Sequence, residues 1–310
     1  MNKTPKIVIL LSTFNGADYL AEQLNSLLEQ TYTNFIIIIR DDGSTDDTKH
    51  IISKYVEKNE GKIHRLSGSY ENVGPSASFC LLIQHVLEEK NSLGLSRAYI
   101  MLCDQDDIWV NNKIEIQIAE MLSIEKRAGC QPVLIHTDLS VIDAREKLIS
   151  DSFIKYQGLE IDRNRFTQLV LSNLVTGCSS LFNEELALKA LPIPDKAIMH
   201  DWWLALIASA FGRVVFLDLP LVRYRQHGNN TIGAKEFKKH HPSSNKFWRV
   251  VFAPKKSDHL VDVAHQAFEF KARFGNLLSF EKKTCLWLSS MMKLQNGFSQ
   301  RIFYRLARLF

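Results

Sequence analysis

Three carboxylates, Asp104, Asp106 and Asp107, stand within four consecutive residues, interrupted only by Gln105. They follow directly on the apolar run Ala98-Tyr99-Ile100-Met101-Leu102, which has the character of a buried strand. Like charges packed at a strand end repel one another unless a cation neutralises them. Hard oxygen donors of this kind suit Mg²⁺ or Mn²⁺, ions often held by one or two carboxylates together with substrate phosphates. A solvated acidic turn that opens a helix is the plainer reading, and the cluster alone does not separate the two.

The elements around it are those of a parallel sheet. Lys6-Ile7-Val8-Ile9-Leu10-Leu11 reads as a buried strand running into the polar loop Ser12-Thr13-Phe14-Asn15-Gly16. Asp18 is a suitable N-cap for a helix carrying Leu20, Leu24, Leu27 and Leu28 at helical spacing. The β-branched run from Phe35 to Ile39 is a second strand, and the loop after it contains Asp41, Asp42, Gly43, Ser44 and Thr45. Ser44 or Thr45 is expected to cap the next helix. Strand, helix, strand, helix implies right-handed crossovers and a parallel sheet with helices on both faces. Ligands of such sheets bind outside the carboxyl ends of the strands. The loops at 12–16, 41–44 and 104–107 should therefore open onto one edge.

Further along, Gly74 and Pro75 start a helix through Phe79, Leu82, Ile83 and Val86. Val133–Asp138 and Leu139–Ile142 look like strands, and 144–165 reads as a polar, irregular excursion. Gly177 lies in a loop entering a strand, His200-Asp201-Trp202-Trp203 opens a helix, and Val214–Leu217 is a further strand. The segment Leu221 to Asn230 closes a first domain, 1–232, and 233–310 is expected to be a basic helical region.

The chain has 310 residues, 45% of them apolar and 23% charged, with a net charge of +4. That is the composition of a soluble globular protein. No apolar run reaches the length of a membrane span, and no signal-peptide pattern precedes the first strand. Five scattered cysteines without C-x-x-C spacing fit buried reduced thiols in a cytoplasmic protein, not a disulfide framework or a zinc site. From residue 235 onward there are 15 Lys and Arg against 5 Asp and Glu, and before it 23 against 29. The basic end should face an anionic partner. The tail Arg301-Ile302-Phe303-Tyr304-Arg305-Leu306-Ala307-Arg308-Leu309-Phe310 alternates Arg with large apolar side chains, as in a helix lying on a membrane surface; packing of its apolar face on the main domain is the other possibility. No nucleic-acid partner is expected.

These loops resemble those of the inverting family 2 glycosyltransferases, over roughly residues 5 to 230. Ser12-Thr13-Phe14-Asn15-Gly16 is similar to the family's first-strand loop, Asp41-Asp42-Gly43-Ser44 to its Asp-Asp-x-Ser loop, Asn72-Val73-Gly74 to its Asn-x-Gly turn, and Asp104-Gln105-Asp106 to its D-x-D metal motif. The resemblance implies a GT-A fold, a nucleotide-diphospho-sugar donor and Mn²⁺ or Mg²⁺. It implies donor contacts from Ser12, Phe14, Asn15, Asp42, Asn72, Gly74 and Asp104, the last towards the ribose. Phe14 stands where Tyr is usual, so one phenolic hydrogen bond is lost. Asp106 is implied as metal ligand, with Asp107 sharing or exchanging that role. Tyr224-Arg225-Gln226-His227 is similar to a late segment whose His completes the metal site, with Arg225 or Arg223 reaching the diphosphate.

His200-Asp201-Trp202-Trp203 takes the place of the family's catalytic motif, with His where Glu is common. Asp201 is then the general base that takes a proton from the acceptor hydroxyl, and His200 is the competing base. Gly177, Trp202 and Trp203 are implied on the acceptor side, one Trp facing the core and the other the pocket. The combination with Cys103-Asp104-Gln105-Asp106-Asp107-Ile108-Trp109 resembles rhamnosyltransferase-type enzymes of bacterial surface polysaccharides. The expected activity is transfer of L-rhamnose from dTDP-rhamnose to a glycan or lipid-linked glycan at the inner face of the membrane. A UDP-hexose transferase of the same fold and a non-catalytic, membrane-associated assembly partner are the alternatives.

Other motifs fail on particular residues. A haloacid-dehalogenase loop would need Asp at position 40, where the chain has Arg40. An EF-hand starting at Asp104 is excluded by Ile108 and Trp109. The loop at 12–16 lacks the glycines of a dinucleotide-binding turn.

Overall fold

A computed structural model describes residues 4–66, 68, 71–228, 257–293 and 297–310. Four strands, β1 (Ile7–Thr13), β2 (Phe35–Asp41), β3 (Ile63–Arg65) and β4 (Tyr99–Cys103), pair in parallel in the order β3-β2-β1-β4. The chain steps outward from β1 to β3, then returns to lay β4 on the other side of β1. The crevice at that reversal is where open α/β sheets bind ligands, and the loops after β1 and β4 flank it.

Beyond β4 the sheet becomes mixed. β8 (Leu181–Asn183) runs antiparallel to β4 and to β6 (Val133–Asp143), and β9 (Arg213–Gln226) lies parallel to β6. β5 (Ile108–Trp109) pairs antiparallel with β9, and β7 (Leu148–Ser150) with β6.

The central strands β1, β2 and β4 are continuously apolar until the carboxyl ends of β1 and β2, because both faces are covered. Val8, Leu10, Ile36, Ile38, Ile100 and Leu102 face one layer, with α3 (Pro75–Glu88), α7 (Glu184–Ala190) and α8 (His200–Phe211). Ile7, Ile9, Leu11, Ile37, Ile39 and Met101 face the other, with α1 (Leu20–Leu28), α2 (Thr48–Lys58) and α4 (Lys113–Ala128). The short helices α5 (Phe153–Gln157) and α6 (Phe166–Leu169) lie between β7 and β8 in sequence.

The C-terminal helices α9 (Asp258–Phe274), α10 (Phe280–Ser290) and α11 (Gly297–Ala307) continue the first layer. Phe270 and Phe274 pack on Trp203, whose indole N–H donates to the Ala190 carbonyl at 3.1 Å. Gln266 accepts the Ile198 N–H at 2.9 Å, and the Arg273 guanidinium donates to the carbonyls of Lys189, Ala190, Leu191 and Pro192. One apolar layer therefore spans both sides of position 232. Most of the basic segment between the two regions, 229–256, lies outside the described residues.

Several local expectations are corrected. The position before α1 is Tyr19 and no side chain caps it, so Asp18 does not play that part. Asp46, not Ser44 or Thr45, accepts from the Thr48 N–H at the start of α2, at 3.1 Å. Residues 133–143 form one strand whose register against β9 shifts around Asp138, not two. The excursion 144–165 contains β7 and α5. The strand expected at 214–217 runs on to Gln226, so Arg225 sits in a buried strand.

Candidate active site

The loops after β1, β2 and β4, the turn before α3 and the start of α8 line one cleft of about 790 Å³, within the range of small-molecule sites.

One wall is wired by side chains bonding to neighbouring loops. Asp41 accepts the Ser44 N–H at 3.1 Å and the Thr13 hydroxyl at 3.2 Å. Asp42 accepts the backbone N–H groups of Val73 and Gly74, each at 2.9 Å, and is paired with the buried Arg40. It thereby fixes the turn through Asn72, in which Gly74 takes a φ of 82° that glycine adopts without strain. Asn15, at a φ of 47°, donates its N–H to Ser44 and accepts the Thr45 N–H with its side chain. Asn15 is thus a link between loops. The Ser12 and Ser78 hydroxyls are 2.6 Å apart. Phe14 is 46% exposed and borders the cleft with Ser12, Asp42, Asn72 and Gly74.

The acid loop divides its carboxylates between two environments. Asp106 faces His227, with Oδ2 and Nε2 2.8 Å apart. His227 also lies against the Tyr19 ring, centroids 4.8 Å apart. Asp107 turns inward and is fully buried. Its Oδ1 accepts the Arg225 N–H at 3.1 Å, fastening β9 to the acid loop. Burial and the neighbouring Asp106 and Asp104 charges hold the Asp107 carboxyl well above the ordinary range. Lys113, also buried, stands 3.9 Å from the Trp109 ring centroid, donates to Gln117 at 2.7 Å and is pushed down to about 7 by desolvation. Asp104 borders the cleft; burial, Asp106 and Asp201 raise its carboxyl to about 7.

Ligand atoms of Asp104, Asp107 and Cys178 lie within 4.8 Å of one another. That group contains a thiol that burial keeps protonated and is sensed by the Lys113 ammonium, so it suits a hard divalent ion poorly. Asp106 with His227 offers an oxygen and an imidazole nitrogen, a donor set that fits Mn²⁺ or Mg²⁺. Asp107 is thus buried on the Arg225 N–H, while Asp106 meets His227. The structure also turns Arg225 away from the cleft. The Arg225 side chain is buried, donates to the Asp106 and Ala144 carbonyls and pairs with Glu22, so it steadies the acid loop where a diphosphate contact was expected. Arg223 pairs with Glu146.

Across the cleft, Asp201 lies in the first turn of α8. Its Oδ2 accepts the Gly177 N–H at 3.1 Å, and the Asn173 amide approaches Oδ1 at 3.4 Å. Burial raises Asp201 to about 6. A side chain at Gly177 would stand 3.3 Å from His200 Nε2 and 3.7 Å from Asp201 Oδ2, which explains the glycine. His200 is stacked on Phe79, centroids 4.3 Å apart, and burial drives it down to about 3. It is neutral near pH 7, yet too weakly basic to compete with Asp201 for a proton. Trp202 borders the cleft and anchors its N–H on the Leu169 carbonyl at 2.6 Å. Trp203 is in the core, not on the acceptor side as expected, because it faces α9.

Gln105, Lys113, Asn173 and His259 escaped the sequence reading. His259 of α9 borders the cleft 6.0 Å from the Trp202 ring. Asn173 acts through a contact distant in sequence, with Asp201, whereas Lys113 is held by Trp109 and Gln117, four residues to either side. Gln105 was visible, as the unassigned residue inside the acid motif.

Known proteins resemble this chain in sequence and in architecture. The chain is 26% identical over 302 residues to an uncharacterized glycosyltransferase of Rickettsia felis, covering 93% of this chain and 46% of the relative. It thus spans less than half the length of that relative. It is 27% identical over 236 residues to the dTDP-rhamnosyl transferase RfbG of Shigella flexneri, covering 72% of this chain and 74% of RfbG. Among solved structures, S. aureus TarS 1–349 in complex with UDP aligns with a TM-score of 0.52 at 15% identity, over 97% of this chain and 91% of that one. The mannosyltransferase PcManGT of Pyrobaculum calidifontis, in complex with GDP-Man and Mn²⁺, aligns with 0.51 at 14% identity, over 99% and 81%. These likenesses place the fold with the GT-A glycosyltransferases. The profile of Glycosyl transferase family 2 matches residues 8–187, more than half of the chain, and the chain belongs to that family.

Proposed function

We propose that the protein is an inverting, metal-dependent glycosyltransferase that moves L-rhamnose from dTDP-rhamnose to a hydroxyl of a glycan or lipid-linked glycan in surface-polysaccharide synthesis. The observation that carries this reading is the meeting, in one cleft, of the Asp104 and Asp106 loop with Asp201, a half-buried carboxylate raised to about 6. The rhamnosyl donor is supported by the likeness to RfbG.

In this reading the nucleoside lies against Phe14, with Asp42 and its turn beside it and Asp104 at the ribose. Asp106 and His227 would hold the ion, which supplies positive charge to the leaving diphosphate. Asp201 takes the proton of the acceptor hydroxyl as its oxygen bonds to the anomeric carbon. The bond from that carbon to the diphosphate oxygen breaks, and the electron pair departs on the nucleotide. One displacement from the opposite face inverts the anomeric centre. Gly177 and Asn173 hold the base, and Trp202 and His259 border the acceptor.

Contact with the anionic inner face of the membrane is part of the proposal. α11 exposes Ile302 and Leu306, and Leu309 and Arg308 beyond it are exposed as well. Among the described residues, no helix is long and apolar enough to cross a membrane.

The test is a donor screen with Mn²⁺ over dTDP-rhamnose, UDP-hexoses and GDP-sugars, read by thermal shift and by transfer to a lipid-linked acceptor. dTDP-rhamnose should give the largest shift and a product of inverted configuration. No transfer and no donor hydrolysis with any donor would favour a non-catalytic assembly partner.

A further inference from the structure

Gln105, the residue between the two acids of the D-x-D motif, does more than space them. Its side-chain Oε1 accepts the Phe14 N–H at 2.8 Å, and its Nε2 donates to the Phe14 carbonyl at 3.0 Å. The amide therefore pairs with both polar groups of one backbone residue, as a neighbouring strand would. Both bonds join the loop after β1 to the loop after β4 across the crevice of the sheet. The fit is close. A Cβ at Gly16 would stand 2.3 Å from Gln105 Oε1 and 2.5 Å from Cδ, so the Gln105 amide lies where any larger residue at position 16 would put its side chain.

The rest of the β1 loop is tied to the β2 side. The N–H groups of Asn15, Gly16 and Ala17 go to Ser44, Thr48 and Asp46. Phe14 is the residue whose backbone turns instead towards the acid loop. Its ring borders the cleft while its main chain is gripped from behind.

We propose that Gln105 is a positioning residue for the donor: it fixes the Phe14 ring as the platform for the nucleobase and ties that platform to the loop that carries Asp104 and Asp106. The proposal rests on the nucleotide-sugar reading above. An extended acid loop and an ordered base platform then come as one unit, so the ends of the nucleotide are received at a fixed separation. The Gly16 contact follows from the same device.

The experiment is calorimetric titration of UDP, dTDP and GDP with Mn²⁺ into the full chain and its variants, following the nucleotide that binds tightest. Gln105→Met keeps the length of the side chain and removes both hydrogen bonds. It should weaken that nucleotide about tenfold, because the freed Phe14 segment must then be ordered on binding. Gly16→Ala should weaken it to the same degree by displacing the amide, and the double variant should be no weaker than either. In a Phe14→Ala background, Gln105→Met should cost no more than about twofold, because its effect passes through Phe14. Binding by Gln105→Met within about twofold of the wild type overturns the proposal. So does a second tenfold loss on top of Phe14→Ala, which would make Gln105 a direct ligand contact. A wild-type chain that binds none of the three nucleotides defeats the nucleotide-sugar reading itself, a result separate from either of these.

Discussion

On the donor wall of the cleft, nearly every polar side chain is already engaged. Asp42, Asn15 and Gln105 accept backbone N–H groups of neighbouring loops, Asp41 accepts that of Ser44 in its own loop, and Arg40 neutralises Asp42. On the acceptor wall, burial has pushed the ionisable groups from their ordinary range: Asp201 up to about 6 and His200 down to about 3. In the proposed reading, the first wall is a rigid mould whose shape recognises the donor. The second stores unfavourable solvation in the groups that would handle a proton. Binding needs preorganisation, while proton transfer needs a group poised near the working pH, and the two walls divide those demands.

Asp201→Asn is the sharpest cut between them. Removing a general base lowers turnover by about 10²–10⁴-fold, while donor binding, read by calorimetry with Mn²⁺, should be unchanged. Asp201 is raised above its ordinary value, so the folded protein retains a proton that the unfolded chain gives up. Its burial then costs stability as pH rises towards and past about 6. Asp201→Asn should therefore melt higher than the wild type at pH 8 and lose that advantage at pH 4. Turnover of the wild type should climb as pH rises through about 6. Retained turnover in the variant would break the division of labour.

Trp203→Ala tests what holds the acceptor wall up. The ring is fully buried against Phe270 and Phe274, and removing a core Trp costs about 3–5 kcal/mol. Chemical denaturation should show that loss. Trp202→Phe, at the cleft, should shift acceptor KM with a much smaller effect on stability. Equal destabilisation by both would mean that the two tryptophans do not divide between core and cleft.

His227→Ala sharpens the account of the donor wall. Loss of one ligand and of its contact with Asp106 should weaken Mn²⁺ by about 10–100-fold, read as the Mn²⁺ concentration that half-restores turnover. Asp107→Asn should act differently: its carboxyl is buried and raised, and the amide keeps an oxygen to accept the Arg225 N–H, so the variant should melt no lower than the wild type at pH 8 and leave the Mn²⁺ requirement nearly unchanged. An equal effect on Mn²⁺ would return Asp107 to the ligand set.

Legibility in the sequence follows the same line. Ser12, Phe14, Asp42, Gly74 and Asp104 belong to short loops that end strands, and strand and loop are both local patterns. The same locality explains the parallel half of the sheet, whose strands are continuous apolar runs. Asn173 and His259 reach the site through packing between segments distant in the chain. Arg225 differs for a related reason. The resemblance placed it at the diphosphate, but β9, expected to end at Leu217, carries its pairing through Gln226, so the arginine lies in a buried strand under the acid loop. Trp202 and Trp203 were separable in principle, since adjacent helical residues face different sides, but which one faces the core depends on α9.

The smallest expected effect is His200→Gln. The ring is neutral across the physiological range because burial drives its protonation down to about 3, so its charge cannot shape the pH profile near neutrality. Gln keeps polar atoms of similar reach while removing the stacking on Phe79. Turnover should fall only a few-fold, as expected for a positioning contact of about 1 kcal/mol, and the rising limb near pH 6 should stay in place. A limb that moves or vanishes would make His200 the proton acceptor and reduce Asp201 to its orienting partner. It would also mean that the acceptor wall holds its proton on a stacked imidazole, with the carboxylate that accepts the Gly177 N–H serving only to aim it.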